Sequence, residues 1–261
     1  MRVAILTSVP AVAIGYSALA RSLGHEVAVV ISPRVTAAEP AAYFEVPGDL
    51  AFPDSRRSLA PLLRAYDADV GLCTGFPWLV PEEAIDAPRL GIVNGHPTLL
   101  PKGRGPFPWA WAVRNGEAEL GLTYHFMDVS FDTGNVLAQK AIPFAEDETE
   151  ETLVPKLEAA AGELLPQVFA KLEAGDRGMP QGEGEYQPAF EPEYALLDVS
   201  KPVADVHRQV RAWSFVPPRH RRGPRLGDRL IVRTSLTEVE GSERLECADG
   251  PLWIVESVTS D

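Results

Sequence analysis

Three polar residues in the middle of the chain have side chains that could stabilise a developing negative charge and move a proton: Asn94, His96 and Asp132. Asn94 and His96 stand two positions apart at the end of the apolar run Gly91–Val93. The two-residue period of an extended strand predicts that both side chains lie on the same side. An Asn amide can donate a hydrogen bond to a developing oxyanion, and a His can move a proton near neutral pH. A carboxylate on a later loop, here Asp132, can orient or assist that His. These residue types and their order predict an active site.

The segments around these residues resemble the 10-formyltetrahydrofolate-dependent formyltransferases. The pattern of that family is Asn-x-His-x-Ser-Leu-Leu-Pro, then a short loop ending in Arg-Gly, then Asp-x-Gly. Thr98 replaces the usual Ser and keeps its hydroxyl. The resemblance implies that Asn94, His96 and Asp132 are catalytic and that 10-formyltetrahydrofolate is the formyl donor. It also implies a functional loop, made by Thr98, Leu99, Leu100, Pro101, Arg104 and Gly105.

The same resemblance indicates where the folate would bind. The segment Gly75–Pro81 resembles the aromatic strand end whose backbone holds the pterin, and Met127–Phe131 resembles the loop that closes its other side. Apolar walls with a few backbone donors suit a flat heterocycle. The residues implied in this pocket are Phe76, Trp78, Leu79, Val80, Met127, Asp128 and Phe131.

The elements that must position these residues alternate between strands and helices. Such alternation predicts an α/β fold with a doubly wound, mostly parallel sheet. The predicted strands are Val3–Leu6, His25–Ile31, Val70–Thr74, Gly91–Val93, Gly121–Phe126 and Val136–Ile142. The predicted helices are Ala11–Leu23, Ser58–Tyr66, Pro81–Ile85, Pro106–Asn115 and Glu148–Ala174.

A second, smaller unit is expected at the C-terminus. The segment 178–195 is rich in Gly, Pro, Glu and Gln and predicts a linker between a catalytic domain, 1–177, and a small domain, 196–261. The latter contains a predicted helix, Pro202–Trp213, and strands at Arg229–Thr234, Glu243–Cys247 and Leu252–Val255. It resembles a shortened C-terminal domain of the methionyl-tRNA and amino-sugar formyltransferases.

Composition excludes several other classes of function. Cys73 and Cys247 are the only cysteines, without the spacing of a disulfide framework or a zinc site, so a cytoplasmic, metal-free protein is expected. The first βα loop lacks the glycine pattern of dinucleotide sites, and no Gly-Lys-Ser/Thr phosphate loop is present. The Val3–Ala20 stretch is interrupted by Pro10, and no uniformly apolar run predicts a membrane span.

The sequence says less about the acceptor of the formyl group than about its donor. The net charge of −13 and the loop from Ser32 to Pro40, which has a single basic residue at Arg34, make nucleic acid an improbable partner. We therefore expect a small biosynthetic amine, such as an amino sugar nucleotide or a natural-product or siderophore precursor. A basic cluster at Arg219, Arg221, Arg222 and Arg225 is the feature that could support a tRNA acceptor.

Several alternatives stay open at this stage. The protein could be a methionyl-tRNA formyltransferase, a formyltetrahydrofolate hydrolase that uses water as acceptor, or a folate-binding module without turnover. A glycinamide ribonucleotide formyltransferase is less expected, because such enzymes usually end before a second domain. A homodimer is compatible with the sequence.

Overall fold

The predicted α/β alternation is present in the computed structural model, which describes residues 1–34, 40–43 and 45–259. The larger sheet has seven strands. They are β1 (Arg2–Leu6), β2 (Glu26–Ile31), β3 (Asp49–Ala51), β4 (Val70–Cys73), β5 (Ile92–His96), β6 (Glu119–Phe126) and β7 (Val136–Pro143). The helices are α1 (Pro10–Ser22), α2 (Leu59–Ala65), α3 (Glu82–Ile85), α4 (Pro108–Asn115), α5 (Glu150–Glu173) and α6 (Val203–Ser214).

The strand order of the larger sheet is β3-β2-β1-β4-β5-β6-β7. Strands β1 to β5 pair in parallel, and β6 is antiparallel to β5. The buried parallel strands are near-continuous apolar runs, as expected for strands covered on both faces. The order reverses between β1 and β4, and in open α/β sheets ligands bind beyond the carboxyl ends of the strands at such a point. The predicted α/β class and mostly parallel sheet are confirmed.

Two details differ from the sequence-based expectation. Strand β5 continues through Asn94 to His96 instead of ending at Val93, because Asn94 and His96 still pair with neighbouring strands. The short edge strand β3 was not predicted, since its three residues form no apolar run. Of the loop from Ser32 to Pro40, on which the argument against nucleic acid was based, residues 35–39 lie outside the described residues.

The chain forms two compact units. The first consists of residues 1–102, 121–141 and 157–184, and the second of residues 103–120, 142–156 and 185–261. The predicted boundaries, with a linker at 178–195, remain a prediction. Within the described residues, no helix is both long and apolar enough to span a bilayer.

The second unit contains the predicted C-terminal sheet. Four strands have the order β10-β11-β9-β8, and their described pairs are antiparallel. They are β8 (Arg225–Leu226), β9 (Arg229–Ser235), β10 (Glu243–Cys247) and β11 (Gly250–Thr259). Helix α6 covers this sheet through a small apolar core of Val210, Ile231 and Ile254.

Two glycines in the first unit should respond oppositely to substitution by Ala. A Cβ at Gly134, in the Asp132 loop, would lie 1.9 Å from the carbonyl oxygen of Phe126. Gly162 is an exposed residue of α5, and a Cβ there would have no neighbour within 4 Å. We expect Gly134→Ala to destabilise the protein by about 1–3 kcal/mol through backbone displacement. Gly162→Ala should stabilise it by roughly 0.5–1 kcal/mol. Urea unfolding measures both, and equal stabilities of the two variants would contradict the packing of the Asp132 loop.

Candidate active site

The last residues of β5 carry two of the predicted catalytic side chains. Asn94 and His96 alternate with Gly95, so they lie on the same face of the strand. His96 is buried and Asn94 is half-buried. Strand β4 pairs with Asn94 on one side, and β6 pairs with both residues on the other. The spacing predicted the shared face, and the pairing with β4 and β6 holds this end of the strand in place.

Strand β6 adds a third polar side chain, His125, which sequence analysis did not single out. His125 lies directly opposite Asn94 in the β5–β6 pairing. Its Nε2 is 3.2 Å from Nδ2 of Asn94, and its Nδ1 is 2.8 Å from the carbonyl oxygen of Phe126. The available sequence signal was a histidine within the mostly apolar run Leu120–Phe126. Only the strand pairing shows which residue it contacts.

The protonation of His125 follows from its surroundings. Burial, and then the nearby His96, lower the pKa of His125 to about 4, although Asp132 acts in the opposite direction. The imidazole is therefore neutral at pH 7. Because a carbonyl oxygen can only accept, Nδ1 carries the hydrogen and Nε2 accepts from the Asn94 amide. One N–H of Asn94 is thus engaged, which orients the amide group and leaves its second N–H to donate elsewhere.

Asp132 lies beside both histidines. Its Oδ1 is 3.6 Å from Nδ1 of His96 and 3.7 Å from Nε2 of His125. These contacts are longer than direct hydrogen bonds, and such contacts often shorten when substrate binds. Since His125 is neutral, its approach to Asp132 is not an ion pair at pH 7. The structure thus brings Asn94, His96 and Asp132 together, as expected for catalytic groups.

The backbone of Asp132 is in the left-handed region, with φ of 56°. This conformation costs a non-glycine residue roughly 1–2 kcal/mol, although Asp tolerates it better than most residues. The Gln181 side-chain amide donates to the carbonyl oxygens of Asp132, at 3.0 Å, and of Gly134, at 2.7 Å. Gln181, in the last sequence segment of the first unit, therefore holds the Asp132 loop in place. It was missed because it falls in a segment predicted to be a linker.

The predicted loop after β5 is divided between the two units. Residues Thr98–Pro101 belong to the first unit, where the Thr123 hydroxyl donates to the Thr98 carbonyl at 2.7 Å and accepts from the Leu100 N–H at 3.2 Å. Leu99 is packed against Gly121, where a Cβ would lie 2.5 Å from it. Arg104 and Gly105 belong to the second unit, where the Arg104 carbonyl accepts from the Gln187 N–H at 2.7 Å.

The residues predicted to hold folate have two kinds of environment. Val80 is buried, and Phe76, Trp78 and Met127 are packed against the same apolar core. Leu79 and Phe131 are exposed, while the Asp128 carboxylate accepts from Thr133 at 2.8 Å. Leu79 and Val80 share a cleft of about 360 Å³ with Val129 of the second predicted segment. The two segments therefore meet at one cleft of the first unit.

Two further observations concern the available chemistry. Burial, together with the charge of Asp132, raises the pKa of Cys73 to about 12, so this thiol is protonated at neutral pH and is not a ready nucleophile. In the parts of the chain that the structure describes, no cluster of three or more His, Cys, Asp or Glu side chains could hold a metal ion. The site presents amide, imidazole and carboxylate groups.

Comparison with known proteins identifies the family. A sequence model described as formyl transferase matches residues 16–169, which include Asn94, His96 and Asp132. The chain belongs to the formyl transferase family. Its sequence features are those of the 10-formyltetrahydrofolate-dependent members, so the resemblance described above is confirmed at the level of the family.

Methionyl-tRNA formyltransferases are among the most similar relatives. The enzyme of Myxococcus xanthus is 37% identical over 158 residues, which cover 59% of this chain and 51% of that protein. The enzyme of Trichlorobacter lovleyi is 35% identical over 159 residues, which cover 59% and 50%, respectively. The present chain thus spans about half the length of these relatives.

Solved structures of other proteins have a fold similar to that of this chain. Phosphoribosylglycinamide formyltransferase from Bacillus halodurans is 32% identical, with a TM-score of 0.55, over 66% of this chain and 95% of that chain. HypX from Aquifex aeolicus gives a TM-score of 0.76 over 100% of this chain and 45% of that chain. Its identity is only 19%, so that comparison supports the fold alone.

If Asn94, His96 and Asp132 act as one catalytic group, single substitutions should have similar and non-additive effects. We expect Asn94→Ala, His96→Ala and Asp132→Ala each to lower kcat for formyl transfer by about two to four orders of magnitude. The double variants should lose little more than the single ones. Circular dichroism checks that the fold is retained. Near-normal turnover in any two single variants would contradict the site.

His125→Gln tests whether His125 orients the Asn94 amide. We expect kcat to fall by roughly tenfold, which is less than for removal of Asn94 itself. The matched control is His25→Gln, which changes another buried histidine of the first unit, one whose ring packs against Phe169 at a tilt of 40°. The control should retain kcat. Equal turnover of the two variants would exclude the orienting role.

The lowered pKa of His125 also predicts a dependence of stability on pH. The imidazole titrates near its ordinary pKa of 6.5 in the unfolded chain but only near 4 in the folded protein. Because the unfolded chain binds the proton first, this residue lowers the free energy of unfolding as pH falls from about 6.5 to about 4. Urea unfolding at pH 7 and pH 4.5 should show a smaller loss for His125→Gln than for the wild-type protein. An identical loss would contradict a buried, neutral His125.

Proposed function

We propose that this protein transfers a formyl group from 10-formyltetrahydrofolate to the amine of an acceptor. The observation that carries the proposal is the convergence of Asn94, His96 and Asp132 within the first unit. Membership of the formyl transferase family supports the same reaction. Because the methionyl-tRNA formyltransferases named above are about twice as long as their matched segments, the activity of the whole protein stays a proposal.

Each residue has a role in this reaction. When bound, 10-formyltetrahydrofolate supplies the formyl carbon: the acceptor nitrogen forms a new bond to it, the bond from this carbon to N10 of the folate breaks, and N10 takes up a proton so that tetrahydrofolate leaves. The second N–H of Asn94 donates to the formyl oxygen as that oxygen gains negative charge, an interaction generally worth on the order of 10² to 10³ in rate. His96 lies on the same face and stabilises the same charge. Asp132 orients His96 and accepts the proton of the amine, directly or through water.

The cleft beside Leu79 and Val80 is the proposed position of the folate ring. Its walls combine these residues with Val129, which gives the apolar surface that a pteridine requires. Two exposed cationic residues, Arg56 and Arg57, also line the cleft, although Glu82 and Glu83 face it as well. The arginines provide positive charge for the glutamate carboxylates of a folate. Phe76, Trp78 and Met127 support the wall from the core side.

Methionyl-tRNA is the first acceptor to test. The relatives of known name favour it over the small amine that the overall charge had suggested. The basic cluster provides a second argument. The Arg219 and Arg222 side chains hydrogen-bond to uncharged groups, His220 at 3.0 Å and the Arg219 carbonyl at 3.3 Å. Their charges are therefore available to a polyanion.

Three other arginines of the second unit differ from Arg219 and Arg222 because each is paired with a carboxylate. Arg208 contacts Asp205 at 3.0 Å, Arg229 contacts Glu243 at 2.8 Å and Arg244 contacts Glu246 at 2.6 Å. Burial, and then the charges of Arg219 and Arg222, lower the pKa of His220, as expected beside an excess of positive charge. The cluster is thus a local basic surface on an acidic protein.

A small amine is the second candidate acceptor. The net charge of −13 opposes the approach of a polyanion, and the segment from Ser32 to Pro40 has a single basic residue. A nucleotide-linked amino sugar would need only a few phosphate contacts. Water as acceptor, or binding without turnover, would make the protein a hydrolase or a folate-binding module, and both are outcomes of the same assay.

The assay follows tetrahydrofolate release from 10-formyltetrahydrofolate, with methionyl-tRNA, with a panel of amino sugar nucleotides and hydroxylated ornithine, and without acceptor. We expect acceptor-dependent release and a formamide product. Release without any acceptor would identify a hydrolase. Donor binding with no release in any mixture would contradict the transferase proposal.

The double substitution Arg219→Gln/Arg222→Gln distinguishes the two acceptor classes. With methionyl-tRNA, we expect KM to rise severalfold and the slope of log(kcat/KM) against log[salt] to decrease by about two, one for each lost phosphate contact. Arg208→Gln/Arg244→Gln is the matched control, because both arginines are already paired with carboxylates. Equal slopes for both double variants, or no turnover of methionyl-tRNA, would favour the small amine.

A further inference from the structure

Behind the face that carries Asn94 and His96, three hydroxyl groups are gathered around Gly95. Strand alternation directs Gly95 away from the catalytic face. A Cβ at Gly95 would lie 2.7 Å from Oγ1 of Thr74, 3.0 Å from Cε1 of Tyr124 and 3.2 Å from Oη of Tyr16. Glycine at this position therefore leaves room for the hydroxyl groups to approach the strand.

The three hydroxyls are linked by hydrogen bonds. The phenol oxygens of Tyr16, on α1, and Tyr124, on β6, are 2.6 Å apart, and both side chains are buried. The Thr74 hydroxyl also lies close enough to Tyr16 to influence the pKa of its phenol. The Thr74 hydroxyl in turn donates to the carbonyl oxygen of Gly95 at 2.5 Å. Burial is the largest cause that raises the pKa of both tyrosines, so both remain neutral hydroxyl donors at pH 7.

The direction of this series of hydrogen bonds follows from the number of hydroxyl protons that are available. A carbonyl oxygen only accepts, so the single hydroxyl proton of Thr74 goes to Gly95. Towards Tyr16, Thr74 therefore presents only its lone pairs, so we take Tyr16 as the donor to Thr74 and Tyr124 as the donor to Tyr16. The donor order is Tyr124, Tyr16, Thr74 and finally the Gly95 carbonyl. Hydrogen bonds aligned in this way polarise one another and strengthen the last bond of the chain.

We infer that Tyr16, Thr74 and Tyr124 are positioning residues for formyl transfer, which hold the Gly95 peptide and thereby fix the spacing of Asn94 and His96. Strand β4 ends at Cys73, so its backbone ladder with β5 stops opposite Asn94. The Thr74 hydroxyl supplies the donor for the next carbonyl of β5. The catalytic end of β5 is therefore held from behind by side chains of α1 and β6 that do not reach the catalytic face.

This inference rests on the proposed function for its kinetic test. We expect Thr74→Val and Tyr16→Phe to lower kcat by about ten- to a hundredfold, because small displacements of catalytic groups are costly. KM for the formyl donor should stay within about twofold, since the folate cleft is unchanged. Thr74→Ser should retain nearly normal kcat because it keeps the hydroxyl. Tyr124→Phe should have a smaller effect than Tyr16→Phe, because Tyr16 can still donate to Thr74.

The matched control is Tyr43→Phe. Tyr43 is another buried tyrosine of the first unit, and its phenol oxygen is 3.1 Å from the Ser32 hydroxyl. Its loss should lower the free energy of unfolding to a similar extent, but kcat should not change. Equal kcat values for Tyr16→Phe and Tyr43→Phe, or equal losses for Thr74→Ser and Thr74→Val, would overturn the inference.

Crystal structures of Thr74→Val and Tyr43→Phe provide a test that does not require turnover. We expect the distance between His96 Nδ1 and Asp132 Oδ1, 3.6 Å in the wild-type protein, to change only in Thr74→Val. An inactive wild-type protein would contradict the proposed function, and the structures would still decide the positioning role. An unchanged site in Thr74→Val would reject that role even if the wild-type protein transfers formyl groups.

Discussion

The pairing register between β5 and β6 is the constraint on which the candidate site depends. It places His125 opposite Asn94 and Tyr124 opposite Gly95. One face of β5 therefore carries the amide and imidazole groups, and the other face receives the buried hydroxyls. A slip of one residue would exchange the two faces and destroy both arrangements. Buried apolar residues of this pairing, such as Val93 opposite Phe126, help to specify the register and thus contribute to chemistry that they do not touch.

Much of the fold follows from the sequence because buried parallel strands and the helices between them have distinct apolar patterns. The extension of β5 through Asn94 to His96 does not, because these polar residues interrupt the pattern while the backbone ladder continues. Asn94, His96 and Asp132 were predictable from their types and order. His125 and Gln181 were not, since their contacts arise from strand pairing and loop packing between distant segments.

The net charge of the whole chain and the charge of one surface region lead to different expectations about the acceptor. The net charge of −13 indicated a small acceptor, whereas the hydrogen bonds of Arg219 and Arg222 to uncharged groups support the proposal of a polyanionic one. Electrostatic interactions between exposed groups are screened beyond about 8 Å at physiological ionic strength. A few arginines without carboxylate partners can therefore matter more for an acceptor than the total charge. The sequence gives the total, but pairing with carboxylates is visible only in the structure.

The most direct test of the central claim is a crystal structure of the protein with a stable folate analogue that carries a formyl group. We predict that the formyl oxygen lies within hydrogen-bond distance, about 3 Å, of the Asn94 amide nitrogen. The pteridine ring should occupy the cleft lined by Leu79, Val80 and Val129. An analogue bound with its formyl group out of reach of both Asn94 and His96 would contradict the assignment of this site.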